Sequence, residues 1–104
     1  MTDAEIVLDE MIHQSTRLRI MTMLVSVPDG DRLAYGFIQD TLGLTGGNLT
    51  THLRKLEDAG HLVITKEVDG SKPRTWIHAT PAGLRAFAEY LSNLHKALNW
   101  SPRT

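Results

Sequence analysis

Apolar residues recur along this chain first at helical spacing, then at alternating spacing, and finally at helical spacing again. A stripe over residues 4–12 predicts a short amphipathic helix. A second stripe begins at Ser15 or Thr16, either of which can cap a helix, and ends at a turn over residues 28–31. The first quarter of the chain is therefore predicted to be helical.

The middle of the chain predicts two helices joined by a very short turn. The first covers about residues 33–42, and the second runs over residues 45–59 from a cap at its first residue. The apolar residues of the second recur at i, i+4 and i+7: Leu49, Leu53 and Leu56. Only Gly43-Leu44-Thr45 separates the two helices, which is typical of a helix-turn-helix. This motif is predicted over about residues 33–59.

Beyond Gly60 the pattern changes to alternation, rich in Leu, Val, Ile and Thr. The alternation over residues 61–79 predicts a β-hairpin whose tip, residues 69–73, contains Gly, Pro and Lys. Thr80 followed by proline is a cap and first-turn signature. It predicts a final helix over residues 81–98.

The final helix carries apolar residues at spacings of 3, 4, 3 and 4: Leu84, Phe87, Leu91, Leu94 and Leu98. Such spacing forms the a/d seam of a coiled coil. A helix of roughly 18 residues is about 27 Å long, which is more than a small three-helix core needs to cover. The seam therefore predicts a homodimer through this helix. The alternative is that the helix packs back on its own core.

The segment Leu42–Gly60, LGLTGGNLTTHLRKLEDAG, resembles the recognition segment of winged-helix transcriptional regulators of the MarR/ArsR type. His13–Ile20 resembles the start of the second helix in that family, and Leu62–Lys66 together with Asp69-Gly70 resembles its β-wing. The resemblance covers nearly the whole chain. It implies one domain over residues 1–104, mainly α with a small β-hairpin (α+β), with a long C-terminal dimerisation helix.

The predicted recognition helix exposes residue types that read DNA. With its leucines in the core, a period of 3.6 places the following residues outward: Gly47, Asn48, Thr51, Arg54 and Lys55. Asn can bond adenine, Thr can contact the thymine methyl, and Arg or Lys can bond guanine or phosphate. Thr45 and Gly46 bring a hydroxyl and backbone amides to the helix start, where phosphate binds well. His52 lies at the border of this face, either against a phosphate or within the packing.

Basic residues on the hairpin and the second helix extend this candidate surface. Lys72 and Arg74 flank a rigid proline and are predicted to contact a minor groove or the phosphate backbone. Lys66 is a weaker candidate because a glutamate follows it. Arg17 and Arg19 either contact phosphate or pair with the acidic residues before them.

Net charge restricts this interpretation. The chain has 11 Lys and Arg against 12 Asp and Glu, a net charge of −1, whereas a chain that only coats nucleic acid would be basic. Double-stranded DNA and a second copy of the chain are the predicted partners, since two sets of contacts compensate for a weak net charge. The alternative is a winged helix used as a protein-interaction module, without direct DNA binding.

The sequence favours no enzymatic function, catalytic residue, cofactor or metal site. Cysteine is absent, and there is no Gly-rich phosphate loop, HExxH or GxSxG motif. Some ArsR-type relatives sense metal through cysteines, so that property does not carry over. Two histidine pairings remain as alternatives, His61 with His78 across the hairpin and His13 with His95 at a dimer interface.

A small-molecule effector is not indicated by the composition. One could bind between the dimerisation helices and the DNA-binding core, lined by these aromatic residues: Tyr35, Phe37, Trp76 and Phe87. Such residues are more often part of a core. No run of about 18 apolar residues occurs, and the acidic start differs from the basic region of a signal peptide. We therefore expect a cytoplasmic protein without a membrane partner.

Overall fold

The element order follows the alternation of helical and strand patterns in the sequence. A computed structural model describes residues 6–28 and 31–99. Its elements are α1 Glu10–His13, α2 Ser15–Val25, β1 Leu33–Ala34, α3 Tyr35–Leu42, α4 Gly46–Asp58, β2 Leu62–Asp69, β3 Lys72–Ala79 and α5 Pro81–Leu98. The predicted helix-turn-helix, hairpin and final helix are all present. In the described part of the chain, no helix is both long enough and apolar enough to cross a membrane.

The first helix is shorter than its apolar stripe predicted. Residues 6–9 are not helical. The carboxylate of Asp9 accepts a hydrogen bond from the amide of Met11 at 2.9 Å and caps a helix that begins at Glu10. The predicted start of the helix at residues 4–5 lies outside the described residues.

Two other helix starts also differ from the prediction. The side-chain oxygen of Gln14 accepts a hydrogen bond from the amide of Arg17 at 2.9 Å, so Gln14 caps α2 in place of the hydroxyl residues after it. Helix α3 begins at Tyr35, because Leu33–Ala34 form a short strand against β3. A strand of two residues is too short to produce an alternating pattern, so no sequence pattern indicated it.

The three strands form an antiparallel sheet in the order β1-β3-β2. The hairpin turn is shorter than the predicted tip over residues 69–73, because β2 and β3 pair as far as Asp69 and Lys72. Gly70 has φ +67°, a left-handed conformation that glycine adopts without steric cost in a two-residue turn. The predicted tip residues Lys72 and Pro73 are therefore part of β3.

The core lies between the helices and one face of the sheet. Its buried apolar side chains are Ile12, Ile20, Met21, Leu24, Ile38, Leu49, Leu53, Leu56, Leu62, Ile77, Phe87 and Tyr90. All three leucines of the predicted α4 stripe are in this set, which confirms the face assigned to the core. Gly43 ends α3 with φ +64°, and its amide donates to the carbonyl of Asp40 at 3.3 Å. The turn between the two helices is therefore fixed by its own backbone hydrogen bonds.

The residues of the predicted dimerisation seam lie on two different faces of helix α5. Phe87 is 5% exposed and packs against Tyr90 in the core of its own chain, with ring centroids 6.2 Å apart. Leu94 also packs against that core. Leu91 and Leu98 are 46% and 75% exposed, so the outward stripe holds only part of the predicted seam. The assignment of Phe87 to a partner-facing seam was wrong, because a 3-4 spacing is equally satisfied by packing within one chain.

The end of α4, the start of β2 and the start of α5 meet at a junction held by short hydrogen bonds. The hydroxyl of Thr80 accepts from the amide of Gly83 at 2.8 Å and donates to the carbonyl of Gly60 at 2.6 Å. The amide of Thr80 donates to the carbonyl of His61 at 3.0 Å. Gly83 is buried against the backbone of His61. This junction fixes where α5 leaves the helix-turn-helix.

Candidate nucleic-acid interface

The N-terminus of α4 is capped by a side chain and lies open on its outer side. Thr45 Oγ1 accepts from the amide of Asn48 at 3.2 Å, which confirms the predicted cap. A Cβ added at Gly47 would meet nothing within 4 Å, whereas one at Gly46 would contact the hydroxyl of Tyr35. The first amides of a helix lack partners within it and favour anions, so this end suits a phosphate.

Tyr35 connects α3 to α4 through its hydroxyl group. Its hydroxyl donates to the carbonyl of Gly46 at 2.8 Å and lies 2.9 Å from Thr50 Oγ1. The sequence suggested Tyr35 only as a pocket aromatic, and its contacts with residues 11 and 15 positions away depend on the packing of the two helices. Tyr35 therefore fixes the position of the first turns of α4 against α3.

The outward face of α4 carries five exposed polar side chains: Asn48, Thr51, Arg54, Lys55 and Asp58. The hydroxyl of Thr51 donates to the carbonyl of Gly47 at 2.9 Å, and the oxygen of this exposed side chain can still accept a hydrogen bond. No ion pair within residues 6–28 and 31–99 involves Arg54 or Lys55. Both cations are therefore available for phosphate or base edges.

His52 lies on the flank of α4 that faces α2, where it contacts Arg17. The guanidinium of Arg17 donates to the carbonyl of Met11 at 2.6 Å and to His52 Nδ1 at 3.2 Å. Arginine has no acceptor, so His52 Nδ1 must accept, and the neutral ring carries its proton on Nε2. Of the two alternatives for Arg17, pairing with the preceding acids is not observed among the described residues, and contact with a phosphate stays a prediction. Arg17 instead joins the N-terminal segment to α4.

Burial lowers the pKa of His52, and the neighbouring cations Arg17 and Lys55 lower it further. We expect ring-proton NMR titration to give a pKa for His52 below its ordinary value of about 6.5. Arg17→Met should raise that pKa only in part, because burial is the larger cause. Arg19→Met, which changes an exposed arginine two residues away, should leave it in place.

The sign of the accompanying stability change follows from the lowered pKa of His52. The folded state disfavours the protonated ring of His52. The contribution of the neutral ring to the free energy of unfolding is therefore complete above the unfolded pKa, and it is lost as the pH falls below about 6.5. A pKa of His52 at or above that value in the wild type, or one unchanged by Arg17→Met, would contradict the contact with Arg17.

The two faces of the hairpin carry different basic residues. Cross-strand partners share a face, and Ile64 pairs with Ile77 on the core side. Lys66 lies on this inner face, next to α4, whereas Lys72 and Arg74 lie on the outer face. The alternation of β2 predicts that Lys66 faces inward, because Lys66 lies an even number of residues from the inward-facing Ile64. Lys66, the weaker candidate in the sequence, is thus adjacent to α4.

On the outer face of the hairpin, the side chains of Arg32 and Arg74 pack against the ring of Trp76 and pair with acidic residues. The guanidinium of Arg32 lies 4.3 Å from the ring centroid and donates to Glu67 at 2.7 and 3.1 Å. This hydrogen bond lowers the pKa of Glu67. Arg74 lies 5.4 Å from the same ring and 4.0 Å from Asp69. Arg74 is therefore partly engaged within the hairpin, and Lys72 is the less constrained of the two predicted hairpin contacts.

The structure does not bring together the four aromatic residues suggested for an effector pocket. Phe87 is in the core, Phe37 is exposed on α3, and Trp76 lies under Arg32. Of the histidines suggested for a metal site, His13 shares a hydrogen bond of 2.7 Å with the hydroxyl of Tyr90. No cluster of three or more His, Asp or Glu in the described ranges is arranged to hold a metal ion.

Comparison with known proteins identifies the family. A family model described as winged helix DNA-binding domain matches residues 16–98. The chain belongs to this family. A transcriptional regulator homologue from Pyrococcus horikoshii superposes with a TM-score of 0.81 and 31% identity, covering 95% of this chain and 96% of that one.

Two further proteins are similar to this chain. An uncharacterized protein of Methanocaldococcus jannaschii is 29% identical over 82 residues, which are 79% of this chain and 86% of that protein. A PadR family transcriptional regulator from Eggerthella lenta has a TM-score of 0.64 at 23% identity, covering 86% of this chain and 83% of that one. At that identity the similarity shows the fold alone. The winged helix here consists of α3, the turn and α4, with β2 and β3 as its wing.

Proposed function

We propose that this winged helix is a transcriptional repressor that binds double-stranded DNA as a homodimer. Helix α4 enters the major groove, and the wing contacts the flanking backbone or minor groove. The observation that carries the proposal is the exposed face of α4, where Arg54 and Lys55 are unpaired within the described residues and Lys66 of the wing lies beside Arg54. The resemblance of residues 42–60 to MarR/ArsR regulators supports the same assignment.

The second copy pairs through the outward stripe of α5. Leu84, Leu91 and Leu98 recur every seven residues, with Ala88 and His95 between them at coiled-coil spacing. A two-fold dimer presents two recognition helices to successive major-groove faces, about one DNA turn or a multiple apart. The operator is therefore expected to be roughly palindromic.

We expect Arg54→Ala/Lys55→Ala to weaken binding to a random-sequence duplex at least about tenfold and to reduce the slope of log affinity against log salt. Both cations lie on the proposed major-groove face, where they displace counterions from phosphate. Fluorescence anisotropy of the purified protein across a salt series measures affinity and slope together.

The matched control is Arg85→Ala/Lys96→Ala, which removes the same charge from the exposed polar face of α5. If DNA binding depends on the α4 surface, the control keeps most of the affinity. Equal losses in both double variants would mean that only overall charge matters. No binding of the wild type at low salt would instead favour the protein-interaction module.

A further inference from the structure

The guanidinium of Arg17 connects α2 with both α1 and α4. Its Nε donates to the carbonyl of Met11 at 2.6 Å, and its Nη1 donates to His52 Nδ1 at 3.2 Å. Arg17 is half-buried at the start of α2 and forms no ion pair among the described residues. Because the guanidinium is planar and its donors have fixed directions, these two hydrogen bonds hold the ring of His52 in one orientation.

The same contact decides which nitrogen of His52 carries the proton. Nδ1 accepts from Arg17, so the proton of the neutral ring is on Nε2. Burial and the cations Arg17 and Lys55 lower the pKa of His52, and the ring is therefore neutral at about pH 7.5. Without Arg17, the neutral ring is free to carry its proton on either nitrogen and to turn about its side-chain bonds. Arg17 thus selects a hydrogen-bond donor at Nε2.

Nε2 is the nitrogen of His52 that another molecule can reach. No hydrogen bond within residues 6–28 and 31–99 involves Nε2. Across the same residues, the one buried side-chain nitrogen or oxygen without a partner is Nδ1 of His61, so Nε2 of His52 is open to solvent. His52 follows Asn48 by four residues and precedes Lys55 by three, and residues at these spacings are neighbours on a helix surface. The Nε2–H therefore lies at the edge of the proposed DNA-binding face.

We propose that Arg17 is a positioning residue for DNA binding, which holds the neutral ring of His52 so that its Nε2–H donates to a DNA phosphate. The inference rests on the proposed function. A phosphate suits this donor because its oxygens accept hydrogen bonds, and because the flank of α4 that carries His52 would face the wall of the major groove rather than the base edges. Arg17 acts through the ring, and its own charge does not meet the phosphate.

A salt series distinguishes a neutral donor from a cation. A cation that meets phosphate releases counterions and contributes to the slope of log affinity against log salt, whereas a neutral N–H does not. His52→Asn keeps an acceptor oxygen near the position of Nδ1 and removes the Nε2 donor. It should weaken binding of a random-sequence duplex, measured by anisotropy at about pH 7.5, about tenfold or more with the slope unchanged. His52→Gln places an amide N–H near the position of Nε2 and should recover most of the affinity.

A double-mutant cycle separates positioning by Arg17 from a direct contact. Arg17→Met should weaken DNA binding about as much as His52→Asn does. Arg19→Met removes the same charge from an exposed position two residues away and is the matched control. In the His52→Asn background, Arg17→Met should cost no more affinity than Arg19→Met, because the donor that Arg17 positions is already absent. Thermal melts establish that the variants are folded.

The tautomer is measured on the protein without DNA. Long-range proton–nitrogen NMR of the wild type should show His52 protonated at Nε2 and bare at Nδ1, and Arg17→Met should weaken this preference. A proton on Nδ1 in the neutral wild type, or a DNA affinity unchanged by His52→Asn, would overturn the proposal. So would equal losses for Arg17→Met in both backgrounds with a lower salt slope, because Arg17 would then meet phosphate directly. A wild type that does not bind the duplex rejects the proposed function as well, whereas DNA binding indifferent to both residues rejects this proposal alone.

Discussion

Gly83→Ala is expected to lower the free energy of unfolding by about 1–3 kcal/mol or more, and the melting temperature by at least about 5 °C. An added Cβ would lie inside contact distance of the carbonyl oxygen of His61, and 2.8 and 2.9 Å from its carbonyl carbon and Cα. These are backbone atoms of the junction, which cannot rotate away. Relief requires α5 to move relative to β2. Thermal and urea denaturation followed by circular dichroism measure the effect.

Gly47→Ala is the matched control for that variant. It is also a helical glycine, but a Cβ there meets no atom within 4 Å. Alanine should therefore increase stability at this position, by about 0.5–1 kcal/mol, because it restricts the unfolded chain and favours the helix. An equal gain in stability for both variants would contradict the close packing of Gly83 in α5 against the backbone of His61.

Helices with their own start and stop signals were predicted well from the sequence. The bounds of α4 and α5 agree with the prediction because Thr45 and Thr80 accept hydrogen bonds from the first-turn amides, so the signals are local. The errors arose where a longer-range contact decides the structure. β1 exists only through its pairing with β3, and Phe87 faces inward because α5 packs on its own chain.

The same distinction applies to the candidate DNA-binding surface. Helical periodicity was sufficient to place Arg54 and Lys55 outward, because the three leucines of α4 define the opposite face. The contact of Arg17 with His52 spans 35 residues and depends on how α2 crosses α4. No local pattern encodes such a contact. The position of Lys66 beside Arg54 likewise exists only once α4 and the wing are packed together.

Leu91→Glu is expected to convert the proposed dimer into a monomer and to weaken DNA binding by about 100-fold or more. Two linked binding sites have an overall affinity roughly 10²–10⁴ times higher than a single site. Leu91 is at the centre of the outward stripe of α5 and is 46% exposed in the isolated chain. A carboxylate there would face an apolar partner surface without a compensating charge. Sedimentation velocity gives the mass, and the salt slope of DNA binding should fall to about half because one subunit makes half the phosphate contacts.

Ala82→Glu separates dimerisation from simple charge repulsion. It introduces the same carboxylate in the first turn of α5, at an exposed position on the opposite side of the helix, where the helix dipole favours an acid. This variant should remain dimeric and keep most of its DNA affinity. If Leu91→Glu stayed dimeric, the outward stripe of α5 would not be the interface. If it became monomeric with full DNA affinity and an unchanged salt slope, one recognition helix would suffice and the operator would have no reason to be palindromic.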